Sequence, residues 1–268
     1  MLILPYIEQN ALYAQANVTS YPGATLTIGT VPAYATLNNS WRAAGSVDVK
    51  TYQCPSDPNN KQHYTDAISN PPAGGWARGN YGVTASFQDY DHMAMGSTKS
   101  TTILGTATIA APLMAGNFGS AFTQVQDGLS NTIMVAELRA GKAANDPRGT
   151  WAMGLPSSSI VNAGRDATNP TPNNRLGDSG KFGDELQGCQ TPTTGYGQPT
   201  NPTIGSVDGL GCYGTSLMTS GQSRSMHTGG VNVCLGDGSV RFLKNSVDQL
   251  TWCFLISTAD GNVITGDF

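Results

Sequence analysis

The sequence predicts an α+β protein: an antiparallel β-sheet with a short helix at its N-terminal end, a C-terminal helix packed on the sheet, and a loop-rich insertion. Three observations carry this reading. Only 12% of the 268 residues are charged, while 33 are Gly and 15 Pro, a composition that favours strands and turns over long solvated helices. Near the C-terminus, Asp237-Gly238 stands between two alternating apolar runs, a signal for a hairpin. Just after it, the stretch from Ser246 to Thr258 is apolar nearly all round, as a helix buried against a sheet must be. The length suits one domain over 1–268 with the insertion at about 141–222.

The elements follow in chain order. Pro5 at a first-turn position, Glu8 after it, and Leu4, Ile7, Ala11 and Leu12 on one side predict an amphipathic helix to about Ala16. Thr25 to Ile28 reads as a short strand within a loop region. Val47 to Cys54 reads as a strand that ends at Pro55-Ser-Asp-Pro58, where two prolines force a turn. Cys54 is then a structural cysteine at a strand end, with nothing basic near it in sequence to lower its pKa. Asp89, Asp91 and His92 read as a solvated turn. Thr106 to Ala115, broken by Pro112, reads as core. Asp127-Gly128-Leu-Ser-Asn131 is a turn whose Asp and Asn side chains bond back to the backbone, leading into a strand through Ile133, Val135 and Glu137. Glu137 lies too far along that strand to share a calcium site with Asp127, on the order of 15–20 Å away. Residues 141–222 are rich in Pro, Gly and Asn with little periodicity, and their Trp151, Tyr196 and Tyr213 are the candidate interface aromatics. In the final helix, Ser246-Val-Asp-Gln249 reads as a capping box. Asp260-Gly261 ends that helix, and Val263-Ile-Thr265 is a last strand.

The hairpin is the centre of the reading. A two-residue turn at Asp237-Gly238 sets Leu235 opposite Val240 and Val233 opposite Phe242, so that Val231, Val233, Leu235, Val240 and Phe242 share one buried face. His227 stands upstream, beyond Gly229-Gly230. Strand residues advance about 3.3 Å each, so His227 and Asp237 lie at opposite ends of one strand, on the order of 15 Å apart or more. Asp237 is therefore expected as a turn residue and His227 as a structural hydrogen-bonding residue, not as a catalytic pair.

These residues carry a family resemblance. His227, nine intervening residues and Asp237-Gly238 resemble the H-x9-DG signature of prepilin-like proteins of planctomycete-type bacteria, a domain of unknown function. Leu4-Pro5-Tyr6-Ile7-Glu8-Gln9, Cys54-Pro55-Ser56-Asp57-Pro58, and Asp127-Gly128-Leu-Ser-Asn131 with Glu137 fit the same pattern in the same order. The resemblance implies a type IV pilin-like or pseudopilin-like subunit with an antiparallel head domain. It also implies a long apolar helix ahead of the Leu-Pro-Tyr motif, where only Met1-Leu2-Ile3 stand. Either that helix lies upstream of this sequence or this member works without it.

Function classes narrow accordingly. A net charge of −4 with no Lys/Arg cluster argues against nucleic acid or an anionic membrane surface as partner. No apolar run approaches the roughly 20 residues of a membrane helix. Five cysteines without a CxxC spacing argue against a zinc site and cofactors, and leave Cys189–Cys212 as the disulfide candidate, in Gly-rich sequence that a staple would close. Cys234 and Cys253 could pair with each other or simply pack, and the packed reading, as small buried hydrophobes, is the one preferred. The expected function is a non-enzymatic structural subunit of an extracellular or cell-envelope assembly, with itself as partner through head contacts or strand addition at sheet edges. The alternative is a secreted glycan-binding module that uses the insertion's Trp and Tyr. A hydrolase built on Ser225 and His227 lacks any nucleophile-elbow GxSxG.

Overall fold

The computed structural model describes residues 3–17, 40–66, 70–86, 101–103, 107–109, 112–115, 118–162, 171–173, 184–187, 212–215 and 221–264. Its strands are β1 (Tyr81–Ser86), β2 (Thr101–Ile103), β3 (Ala107–Ile109), β4 (Met114–Ala115), β5 (Phe118–Gly119), β6 (Ile133–Glu137), β7 (Ile160–Asn162), β8 (Asp184–Gln187), β9 (Cys212–Thr215), β10 (Gly230–Leu235) and β11 (Val240–Lys244). The helices are α1 (Asn10–Ala16), α2 (Ser40–Ala44) and α3 (Gln249–Ile256). Five strands form one sheet in the order β11-β10-β6-β1-β7, beside three two-stranded pairs. The architecture is α+β, as expected. The sheet is mixed and not wholly antiparallel, because β7 runs parallel to β1. Among the described residues, no helix is long and apolar enough to cross a membrane.

The hairpin forms, but one residue out of the expected register. Val233 stands opposite Arg241 and Val231 opposite Leu243. The connection is the three residues 236–238, closed by Gly238 N–H donating to the Leu235 carbonyl at 2.9 Å and Leu235 N–H to Ser239 at 2.9 Å. Gly238 takes φ +85°, the left-handed bulge position of a three-residue loop. Asp237 remains a turn residue, its Oδ1 accepting from Ser239 N and Oγ at 2.9 and 2.7 Å. Since a one-residue slip turns every side chain of a strand to the other face, Leu243 is fully buried while Val240 and Phe242 are 69% and 45% exposed. Across the ladder from Asn232, the Phe242 ring lies over Gly230, where a Cβ would meet it at 2.7 Å and the Leu243 carbonyl at 2.1 Å.

Helix α3 covers the inner face. Trp252, Cys253, Leu255 and Ile256 pack with Ile133, Ala136, Leu138, Val161, Val231, Val233, Leu235 and Leu243 in one core. The cap is Asp248, whose side chain accepts from Leu250 and Thr251 N–H, and not the expected Ser246. Asp127 then holds the chain beyond α3, its two carboxylate oxygens accepting from Asp260 N–H at 2.8 Å and Gly261 N–H at 3.0 Å. Gly128 turns beside it at φ +92°, and Asn131 Nδ2 donates to the Asp127 carbonyl at 3.0 Å. Val263 and Ile264 are irregular where a strand was expected.

A second core forms at the N-terminal end, with Leu4, Leu12, Ala16, Ala44, Val49, Ala77 and Trp151. The expected single helix is broken by Glu8 at φ +60°, between a 3-10 turn over Leu4–Ile7 and α1. Val47 to Cys54 makes a 3-10 turn at Lys50–Tyr52 instead of a strand. Trp151, expected as an interface aromatic, is only 8% exposed, its ring tilted against Tyr52 at 5.5 Å with Nε1 donating to the Val47 carbonyl. It belongs to the core because residues 141–162, assigned to the insertion, run through the fold and supply β7. Within the same stretch and its neighbours lies a buried ion network: Arg148 pairs with Asp146 at 2.7 Å and Asp184 at 3.3 Å, and Arg224 with Asp184 at 2.9 Å. Cys189, Tyr196, the Thr25–Ile28 strand and the Asp89–His92 turn lie outside the described residues, while Cys212 and Tyr213 lie on β9.

Two expected outcomes follow from the packing. Leu243→Ala should cost about 2–5 kcal/mol in urea unfolding and Val240→Ala under about 0.5; the reverse order would mean the expected register was right. Burial alone would raise the Asp146 carboxyl, but the Arg148 guanidinium outweighs it and holds the group below the ordinary carboxylate value. The pair's stabilisation is therefore present in full above the unfolded carboxylate pKa of about 3.9 and is lost as pH falls through the lower folded value. Asp146→Asn should be less stable than the parent at pH 7, with a smaller further loss below about pH 4 when both are unfolded in urea.

Candidate functional site

The site grows from a buried amide at the start of β1. Asn80 Oδ1 accepts from Cys54 N–H at 2.9 Å and from Asn60 Nδ2 at 2.8 Å. Its Nδ2 donates to Asp57 Oδ2 at 2.7 Å and to the Leu138 carbonyl at 3.0 Å. Asp57 also accepts from Ala140 N–H at 2.8 Å, and Asn60 Nδ2 donates to the Cys54 carbonyl at 2.7 Å. The Cys54-Pro55-Ser-Asp57 turn is thus clamped to the start of β1 and to the chain leaving β6. The prolines stop the chain from pairing onward there, which leaves these polar side chains to make the connection.

Beside that clamp, Glu137 closes β6. Ala136 points into the α3 core, so by strand alternation Glu137 projects from the opposite face. Its carboxylate is buried and held by Asn232 on β10: Oε2 accepts the Asn232 backbone N–H at 2.7 Å and Oε1 the side-chain Nδ2 at 3.2 Å. The loop ahead of β10 brings His227 over this carboxylate. Ser225 Oγ donates to the Gly230 carbonyl at 2.6 Å and accepts His227 N–H at 3.1 Å. Gly229 turns at φ +86° with its carbonyl accepting from Asn245 N–H. His227 Nε2 then lies 3.1 Å from Glu137 Oε1 and 3.7 Å from Cys54 Sγ.

Three expected motif residues thus meet in one place. Cys54, Glu137 and His227 offer a sulfur, an oxygen and a nitrogen all within 4.8 Å of one another, the one such group of three found among the described residues. The expectation that nothing basic stands near Cys54 is overturned, because the His227 loop arrives from the far end of the sequence. Tyr81, opposite Glu137 on β1, flanks the cluster; burial first, then the nearby Cys54 and Glu137, push its phenol up. His227 and Asp237 bracket β10 and engage different partners. Ser225 uses its hydroxyl to shape the loop. Asp127, Gly128 and Asn131 belong to the opposite end of β6, where Asp127 pins the C-terminal segment and Asn131 closes the turn.

The other described cysteines differ from Cys54. Cys234 and Cys253 are free thiols, as is Cys54. Burial pushes the Cys253 thiol up to about 12, and burial with the Asp237 charge raises that of Cys234. Among the described residues, neither has a histidine contact of the Cys54 kind.

The clamp has a measurable weight. Asn80→Ala leaves Cys54 N–H and the Leu138 carbonyl without this partner and takes one hydrogen bond each from Asn60 and Asp57, and unsatisfied buried groups cost about 1–3 kcal/mol each. The variant should lose more than about 3 kcal/mol in denaturant unfolding; a loss below about 1 would mean that the amide positions nothing.

No curated protein and no solved structure matches the chain. A family model does, over residues 1–250, and the chain belongs to that family, described as "Protein of unknown function (DUF1559)".

Proposed function

We propose that this chain is the head domain of a prepilin-like, H-x9-DG-type structural subunit, self-associating in a pilus-like or pseudopilus-like assembly of the cell envelope or the cell exterior. The observation that carries this reading is the edge of the main sheet. Strand β11 is the last strand of the five, and its outward side chains Val240 and Phe242 are both exposed. An edge strand with unpaired backbone groups and apolar side chains is a template for another strand. Monomeric proteins ordinarily blunt such edges with charge; here Val240 and Phe242 flank Arg241 and stay exposed beside it.

The motif residues support the same reading by what they do. Asp127 holds the segment after α3, Asp57 and Asn80 hold the Cys54 turn, and Asp237 closes the hairpin. Their polar atoms are directed at backbone and neighbouring side chains, which is the work of a scaffold. A glycan-binding alternative loses one of its three aromatics, since Trp151 is buried.

Concentration-dependent association read by light scattering, with filaments or ordered oligomers in negative-stain electron microscopy, is the expected outcome. A Val240→Lys/Phe242→Lys double substitution on the exposed face should abolish association without altering the fold seen by circular dichroism. A parent chain that stays monomeric at millimolar concentration, with or without a supplied upstream apolar helix, would overturn the proposal.

A further inference from the structure

We propose that Cys54, Glu137 and His227 bind one zinc ion, with water in the fourth position. A tetrahedral zinc with Zn–S of about 2.3 Å and Zn–N and Zn–O of about 2.0–2.2 Å sets its ligand atoms about 3.3–3.7 Å apart. Cys54 Sγ and Glu137 Oε1 lie 3.7 and 3.1 Å from His227 Nε2, and all three ligand atoms lie within 4.8 Å of one another, so side-chain rotations bring them to a common centre. The mixed sulfur, nitrogen and oxygen set suits zinc, whereas calcium and magnesium call for six or more oxygens.

The direction of the imidazole separates this reading from a catalytic relay. A thiol–imidazole–carboxylate relay needs the thiol on one ring nitrogen and the carboxylate on the other. Here both face the same atom, Nε2. One proton on that nitrogen serves one acceptor well; a cation at the same place serves both and the nitrogen too. A His–Glu hydrogen bond alone explains the 3.1 Å contact but gives the sulfur no part.

The surroundings are those of a built metal site. Asn232 grips Glu137 through both backbone and side chain, which aims Oε1 at the cluster. Asn80 fixes the Cys54 backbone, and Ser225 fixes the His227 backbone. Such outer contacts orient ligands and set affinity. The His227 side chain is 29% exposed, whereas that of Glu137 is 2%, so solvent reaches the cluster from the histidine side and supplies the fourth ligand. Binding forms Zn–S, Zn–N and Zn–O bonds, releases the Cys54 thiol proton to solvent and involves no electron transfer. The ion would join segments 90 and 173 residues distant from His227, so it would stabilise the fold by linkage.

The test uses the whole chain, purified under reductant and stripped with chelator. Isothermal titration with zinc chloride should give one ion per chain and a raised unfolding midpoint. Cobalt(II) should give a thiolate-to-cobalt charge-transfer absorption and the visible bands of a tetrahedral site. Cys54→Ser should remove the charge-transfer band, and both Cys54→Ser and His227→Gln should weaken zinc at least 10-fold, while Cys234→Ser changes neither reading. No stoichiometric zinc binding by a fully reduced parent chain, or a cobalt–sulfur band that survives Cys54→Ser, would overturn the proposal. Should Cys54→Ser unfold, the cobalt spectrum of a chain with its other four cysteines replaced by serine decides: a persisting sulfur band assigns the ligand to Cys54, and its loss overturns the proposal. Self-association of the stripped chain bears on the assembly reading and leaves this one untouched.

Discussion

The amide of Asn80 is the constraint on which the site depends. A buried amide that makes four hydrogen bonds leaves its neighbours little freedom, because any shift strands a donor or acceptor away from water. Through it the Cys54 turn, the start of β1 and the end of β6 become one rigid unit. The cost of burying these groups is offset only if all of them are satisfied together. That is why Asp57, Asn60 and Asn80 sit among the buried polar residues of the described chain.

A protein with few charges uses those it has in unusual places. Asp146, Asp184, Arg148 and Arg224 are buried in a single network, and Glu137 is buried beside His227. Such pairs contribute modestly to net stability, because desolvation consumes much of the Coulombic gain, but removing one partner leaves a buried charge exposed to the full penalty. The networks therefore fix geometry more than they add free energy. In the pieces of residues 141–222 that are described, this is what ties Asp184 of β8 to Arg148 and Arg224.

The hairpin shows how much of the fold was legible and where legibility stopped. Alternation in β10 placed Val231, Val233 and Leu235 on the inner face correctly, and the apolar run after it placed α3 over them. The register of β11 was not legible, because Gly236, Asp237 and Gly238 suit both a two-residue and a three-residue loop, and only the packing of Leu243 under α3 chooses between them. The strand expected before Cys54 failed for a related reason: local propensity yielded to Tyr52 packing on Trp151, a contact from a hundred residues away.

Whereas the Asp127 carboxylate, expected to bond within its own turn, reaches Asp260 and Gly261 instead, from the order of residues alone came the α+β class, the turn at Asp237, the buried final helix and the role of Asn131 in closing a turn. These are short-range matters, governed by periodicity, propensity and side chain to backbone bonds within a few residues. The meeting of Cys54, Glu137 and His227 came only from the tertiary structure. Each residue reads locally as a turn or strand-end residue, and nothing in its own neighbourhood points to the other two. Their convergence is produced by strand order, which lays β10 against β6 and β6 against β1 and so folds three distant segments onto one point.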